Sequence, residues 1–97
     1  MDTDLDLLFA QVEALRELAG DPDQAQDRAR VYDFSIRWGM FVHGRLERLA
    51  YYEDRGELTA EQQARYEKLC VQLRQVLPLI DRFGLARPDS ARCPQQR

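Results

Sequence analysis

The sequence has few of the residues that bind metals. It contains one His and two Cys, Cys70 and Cys93, and no C-x-x-C pair. A structural zinc site takes four Cys or His ligands, usually from closely spaced pairs, and a single His cannot complete such a site with these two Cys. We therefore predict no metal and no cofactor, with Cys70 a reduced thiol in a core stripe and Cys93 a reduced thiol in a tail.

Long apolar runs and targeting signals are also missing. No run approaches the roughly 18 residues of a membrane span, and the N-terminal stretch is acidic where a signal peptide carries cations. These absences predict a cytoplasmic protein with no membrane partner. The chain has one Lys against thirteen Arg and lacks Asn altogether, a bias typical of GC-rich bacterial genomes.

Positive charge does not dominate any long part of the chain. The net charge is −3, and residues 1–23 contain seven acidic residues and one Arg. Domains that bind nucleic acid over much of their surface carry a basic field, whereas an acidic first helix repels phosphate. The charge distribution therefore disfavours nucleic acid as the main partner.

No strand pattern, repeat or Gly-rich phosphate loop occurs, and the apolar periodicity is helical throughout. Three segments show it, at about 4–19, 22–55 and 59–83. Because the link between the second and third segments is short, they should be antiparallel neighbours. The sequence predicts an all-α fold, an antiparallel three-helix bundle with a long central helix and a projecting helical hairpin. The single domain should cover 1–85, and 86–97 should form a flexible tail.

The predicted helix boundaries follow from capping residues. Gly20 is expected to end the first helix in the left-handed conformation, and Asp21 with Pro22 to start the second. Gly56 should end the second helix, whose first two turns are polar and have a loop as the alternative. The third helix has a capping box at Thr59 and Gln62, a Pro that should kink or end it near Leu77, and a closing Gly followed by an apolar residue (Pro78, Gly84, Leu85).

One side of the second helix is predicted to face the core. On a helical wheel, this side consists of five apolar residues and three flanking aromatic residues: Val31, Trp38, Val42, Leu46 and Leu49, flanked by Phe34, Phe41 and Tyr52. Trp38, the only Trp of the chain, is the natural anchor of that core.

The stretch RWGMFVHG, residues 37–44, places further apolar residues away from the predicted core side. Ile36, Met40 and His43 form this second patch, which either a third helix or a partner would have to cover. Gly39 is expected to allow close approach of another helix, and Gly44 to form a shallow notch. The predicted partner-binding residues are Ile36, Arg37, Met40, His43, Gly44, Arg48 and Tyr51. The leading hypothesis is thus a non-enzymatic protein interaction module, a small regulator or adaptor that forms a homodimer.

A nucleic-acid-binding protein is the first alternative. Four Arg share one direction on the helical wheel, with three aromatic residues beside them: Arg30, Arg37, Arg48 and Arg55, with Phe34, Phe41 and Tyr52. A basic stripe with aromatics can bind single-stranded nucleic acid. The competing interpretation is ordinary ion pairing within the helix, from Asp27 to Arg30 and from Asp33 to Arg37.

A ribonuclease is the second alternative. Arg37 and His43 have the R-x5-H spacing found in HEPN ribonucleases, which are helical and often dimeric. In such a site His43 would act as acid or base, and Arg37 would hold the phosphate. No other combination of nucleophile and base is specific enough to predict catalysis, so the preferred hypothesis is that the protein is not an enzyme.

Overall fold

A computed structural model describes residues 2–88, in which helices and turns account for all regular structure and no strand occurs. The fold is therefore all-α, as predicted. The elements in chain order are α1 (Asp2–Gly20), α2 (Pro22–Ala25), α3 (Arg28–Met40), a π-helical segment (Phe41–Leu46), α4 (Glu47–Asp54), α5 (Ala60–Gln75) and α6 (Leu77–Arg82).

The first helix ends without the left-handed glycine that the sequence predicted. Gly20 has no positive φ. Asp21 instead adopts an extended conformation (φ −112°), and its carboxylate accepts hydrogen bonds from the backbone N–H groups of Asp23 and Gln24. The prediction for Gly20 is wrong because the chain changes direction at Asp21, the N-cap of α2, and Pro22 then occupies the first turn as expected.

The predicted helix over 22–55 is interrupted near its start. Asp27 is extended (φ −82°, ψ 104°) and caps α3 by accepting hydrogen bonds from the N–H groups of Ala29 and Arg30. The short α2 before it has no buried residue. A helix without a packed face has little tertiary stabilisation, and an Asp side chain competes for its backbone N–H groups. The long helix therefore begins at Arg28.

From Arg28 to Asp54 the helix is continuous but contains a π-helical segment over Phe41–Leu46. Phe34, Trp38, Val42 and Leu46 are all buried and follow one another at intervals of four residues. On an α-helix each such step overshoots a full turn by about 40°, so three steps rotate the buried side by about 120°. The wider π turn holds more residues and reduces that rotation, which keeps these side chains on the core.

The remaining boundaries agree with the capping predictions. Gly56 (φ 68°) ends α4, and Thr59 and Gln62 form a capping box at the start of α5. The helix breaks at Val76 (φ −98°, ψ 7°), two residues before Pro78. Gly84 (φ 66°) ends α6, and the N–H of the buried Leu85 donates to the Ile80 carbonyl at 2.9 Å.

Polar contacts fix the position of α1 against its neighbours. Arg65 of α5 donates to Asp6 at 2.5 Å, and Arg16 donates to Gln75 near the other end of α5 at 3.2 Å. Helices α1 and α5 therefore run in the same direction. On its other side, the buried carboxylate of Asp4 pairs with Arg45 of the π-helical segment.

The core lies between these elements. Of the predicted core side of the second helix, Phe34, Trp38, Val42, Leu46 and Leu49 are buried, whereas Val31, Phe41 and Tyr52 are only half-buried. Trp38 is 1% exposed, and Cys70 is fully buried. The other buried apolar residues of α1, the central helix and the α5–α6 region are Leu5, Leu8, Val12, Leu15, Leu18, Phe34, Val42, Leu46, Leu49, Ala50, Tyr66, Leu69, Leu73, Val76, Ile80 and Leu85. The predicted role of Trp38 as a core anchor is confirmed.

The chain remains attached to the core beyond residue 85. The indole Nε1 of Trp38 donates to the carbonyl of Ala86 at 2.8 Å, and Arg87 pairs with Asp81 through two contacts of 2.9 Å. Ala86 and Arg87, the first two residues of the predicted tail, thus make contacts with the helical domain. Residues 89–97 of that predicted tail, with Cys93, lie outside the described residues.

Candidate functional site

Helix α3 carries a row of exposed apolar side chains on the side opposite the core. Tyr32, Ile36 and Met40 follow one another at intervals of four residues and are 65%, 49% and 71% exposed. Trp38 is two residues from Ile36, or about 200° around the helix, and is buried. We call the row Tyr32, Ile36 and Met40 the outer face. Within residues 2–88 no element buries these three side chains, although Tyr32 also lines a hollow with Arg82 and Phe83 near the end of α6.

An open hollow lies along one edge of the outer face. It has a volume of about 490 Å³ and is lined by Ile36 and Met40 together with Asp33, Arg37 and the half-buried Phe41. Next to it, Arg45 extends over the Phe41 ring, with its guanidinium carbon 5.7 Å from the ring centroid. The edge of the outer face is therefore an apolar groove with charged groups beside it, a combination suited to a protein surface.

Two charged residues that line this groove have no ion-pair partner among residues 2–88. Asp33 and Arg37 form no ion pair among residues 2–88, so the predicted pair between them is wrong. An exposed pair one helical turn apart contributes little free energy, and both side chains remain hydrated instead. The other predicted pair is present, with Arg30 Nε 3.7 Å from Asp27 Oδ2.

Gly39 does not serve as a contact between two helices of this chain. Outside its own helix backbone and its chain neighbours, no heavy atom of the described residues lies within 4 Å of the position that a Cβ would occupy. The predicted close approach at Gly39 is therefore not satisfied by α1, α5 or α6. The glycine leaves an open depression beside the outer face.

The π-helical segment places the next predicted site residues at the surface. His43 has a side chain that is 65% exposed, and its Nδ1 lies 3.5 Å from Glu47 Oε2. Gly44 is exposed and has open space where a Cβ would be. Arg48 and the half-exposed Tyr51 follow in α4. These residues continue the exposed side of the helix but do not extend its apolar row.

The four Arg of the predicted nucleic-acid stripe have different surroundings. Arg30 is paired with Asp27, and Arg55 is 2.5 Å from Glu57 and stacks over the Tyr51 ring at 5.4 Å. The hydrogen bond that Arg55 donates to the Glu57 carboxylate raises the pKa of Arg55 above its ordinary value. The helical wheel that aligned the four Arg assumed a uniform α-helix, and the π-helical segment changes the rotation between α3 and α4.

The two residues of the ribonuclease alternative have different neighbours. Arg37 lines the groove beside Met40, whereas His43 contacts Glu47 on the exposed side of the π-helical segment. His43 is not among the residues that line the groove with Arg37. A general acid or base must lie within hydrogen-bond reach of the reacting group while another residue holds the phosphate. The groove itself therefore provides Arg37 without His43.

Two features of this surface were not predicted from the sequence. Tyr32 belongs to the outer face, and the spacing Tyr32, Ile36, Met40 was the signal that could have included it. The π-helical segment was also missed. Its signal was the four-residue spacing of buried side chains from Phe34 to Leu46, which a uniform α-helix cannot keep on one side.

The described residues contain neither a metal-binding cluster nor a membrane-spanning helix. Between residues 2 and 88 there is no group of three or more His, Cys, Asp or Glu placed to hold a metal ion. None of the helices described has both the length and the apolar character needed to cross a bilayer. No protein family model, no curated protein and no solved structure matches this chain.

Proposed function

We propose that this protein is a non-enzymatic helical interaction module, a small regulator or adaptor, that self-associates through the outer face of α3. The observation that carries the proposal is the row Tyr32, Ile36 and Met40, three large apolar side chains that are about half exposed or more. A contiguous apolar patch with a polar rim is typical of a protein interaction site. Asp33 and Arg37 supply such a rim at the groove.

The architecture that we propose for the module is an antiparallel three-helix bundle with a long central helix and a projecting hairpin. Its support comes from the contacts of α1, whose first turns pair with both Arg45 and Arg65. The segment between these two Arg extends past the start of α1, which would make it the projecting part. A bacterial source and a cytoplasmic location remain predictions from composition.

Light scattering coupled to size exclusion tests the proposal. We expect the unmodified chain to have the mass of a dimer, and the double variant Ile36→Ser, Met40→Ser to have the mass of a monomer while retaining its helical circular dichroism. The control is Val71→Ser, which removes an exposed apolar side chain from α5 and should leave the dimer intact.

The proposed self-association would be wrong if the unmodified protein stayed monomeric at every concentration up to its solubility limit. It would also be wrong if Val71→Ser dissociated the dimer while the double variant in α3 did not.

A further inference from the structure

We infer that the outer face binds a second copy of itself in antiparallel orientation, with a two-fold axis passing through Ile36. This inference rests on the proposed function and specifies its geometry. Tyr32 and Met40 lie four residues before and four residues after Ile36, and all three are exposed. A two-fold axis requires that the same patch serve both subunits. At this axis Ile36 meets Ile36, and Tyr32 of each copy meets Met40 of the other.

The charges beside the row favour this direction over a parallel one. Asp33 and Arg37 lie on the same flank of α3, and neither has an ion-pair partner within residues 2–88. A two-fold axis perpendicular to both helices places this flank of one copy beside the same flank of the other. Measured along the helix axis, Arg37 of the second copy then lies two residues from Asp33 of the first, a displacement of about 3 Å. Two intersubunit pairs would form, one on each side of the axis.

A parallel pairing lacks this complementarity. Its two-fold axis runs along the helices, so the flank that carries Asp33 and Arg37 would lie on opposite sides of the two copies. Both carboxylates and both guanidinium groups would then remain without a partner at the interface. Charge complementarity of this kind sets the orientation of a complex more strongly than its affinity.

The open depression at Gly39 fits the same arrangement. Gly39 and Tyr32 lie on the other flank of α3, and space remains open where a Cβ of Gly39 would be. In the antiparallel pair, Gly39 of one copy is displaced by only one residue along the helix axis from Tyr32 of the other. The glycine thus leaves room for the exposed Tyr32 ring of the second copy. This assigns to Gly39 a close contact that the chain does not make internally.

Disulfide crosslinking tests the orientation directly. Single Cys variants are made in a Cys93→Ser background, in which the remaining Cys70 is buried. Ile36→Cys should crosslink to itself on oxidation. Tyr32→Cys alone should not, because its two copies lie eight residues apart, or about 12 Å, and a disulfide needs Cβ atoms about 4 Å apart. A mixture of Tyr32→Cys and Met40→Cys should give the mixed dimer.

Charge reversal provides a second, independent readout. Asp33→Arg and Arg37→Asp should each weaken the dimer by at least about tenfold in Kd, because each places like charges across the axis. The double variant restores opposite charges and should recover most of the affinity. Glu17→Arg, an exposed reversal on α1, serves as the control and should leave Kd unchanged.

The outcomes separate this inference from the proposed function. A monomeric unmodified protein overturns both. A dimer in which Tyr32→Cys and Met40→Cys each crosslink to themselves is parallel, and overturns the inference alone. A dimer in which none of the three positions crosslinks uses another surface and also overturns it, as does a double charge variant that binds no better than either single variant.

Discussion

The two sides of α3 have similar side chains and opposite surroundings. Trp38 and Met40 are two residues apart, yet Trp38 is buried and donates to the Ala86 carbonyl after α6, whereas Met40 extends into solvent. Phe34 and Ile36 show the same contrast. The hydrophobicity of a residue thus does not decide its burial on this helix. The position of neighbouring elements does, and the buried core lies on the side of Phe34 and Trp38.

The largest effect that this contrast predicts is the difference between removing an inner and an outer side chain. Trp38→Ala should lower the free energy of unfolding by about 3–5 kcal/mol, because it leaves a cavity in the core. Met40→Ala should change it by no more than about 0.5 kcal/mol at a concentration where the protein is monomeric. Urea denaturation followed by circular dichroism measures both. Similar losses in the two variants would show that Met40 is packed in solution.

A smaller effect is expected at the contact between α1 and the π-helical segment. The carboxylate of Asp4 is buried against Arg45, whereas that of Asp6 is exposed beside Arg65. Asp4→Asn should cost about 1–2 kcal/mol of unfolding free energy, since Arg45 keeps part of its hydration. The matched variant Asp6→Asn should cost less than about 1 kcal/mol. If Asp6→Asn were the more destabilising variant in thermal denaturation, the contact between Asp4 and Arg45 would not stabilise the π-helical segment.

The smallest effect concerns the exposed side of the same segment. Gly44→Ala should raise the free energy of unfolding by about 0.5–1 kcal/mol, because alanine restricts the unfolded chain and meets no atom in the fold. Gly56→Ala is the contrasting variant, since Gly56 has φ 68°, and it should cost about 1–2 kcal/mol. If Gly44→Ala were destabilising in urea titrations, the π-helical geometry itself would depend on glycine.

Sequence reasoning located the features of this fold that depend on local chemistry. The capping box at Thr59 and the helix ends at Gly56 and Gly84 depend on a few adjacent residues, and all three are present. The burial of Trp38 followed from the apolar periodicity of its helix. The same helical wheel placed Ile36 and Met40 away from the core side, in a second apolar patch. It did not show whether another helix covers that patch.

The features that the sequence missed or left open depend on competition between local hydrogen bonding and tertiary packing. Asp27 interrupts the long helix because its carboxylate accepts hydrogen bonds from the N–H groups of Ala29 and Arg30. The preceding α2 has no buried residue that would stabilise a continuous helix through packing. The π-helical segment exists because packing constrains Val42 and Leu46 at four-residue spacing, which no local propensity encodes. Gly39 was assigned to a helix contact from size alone, and its surroundings depend on where the other helices lie.

The hydrogen bond from Trp38 to Ala86 has an optical consequence. Since the chain contains a single Trp, its fluorescence comes from one indole, whose ring is buried and whose Nε1 donates to the segment after α6. Release of that segment would admit water to the ring and shift its emission to longer wavelength. The emission spectrum therefore reports the attachment of residues 85–88 separately from the helical content, in the natural chain and without any added dye.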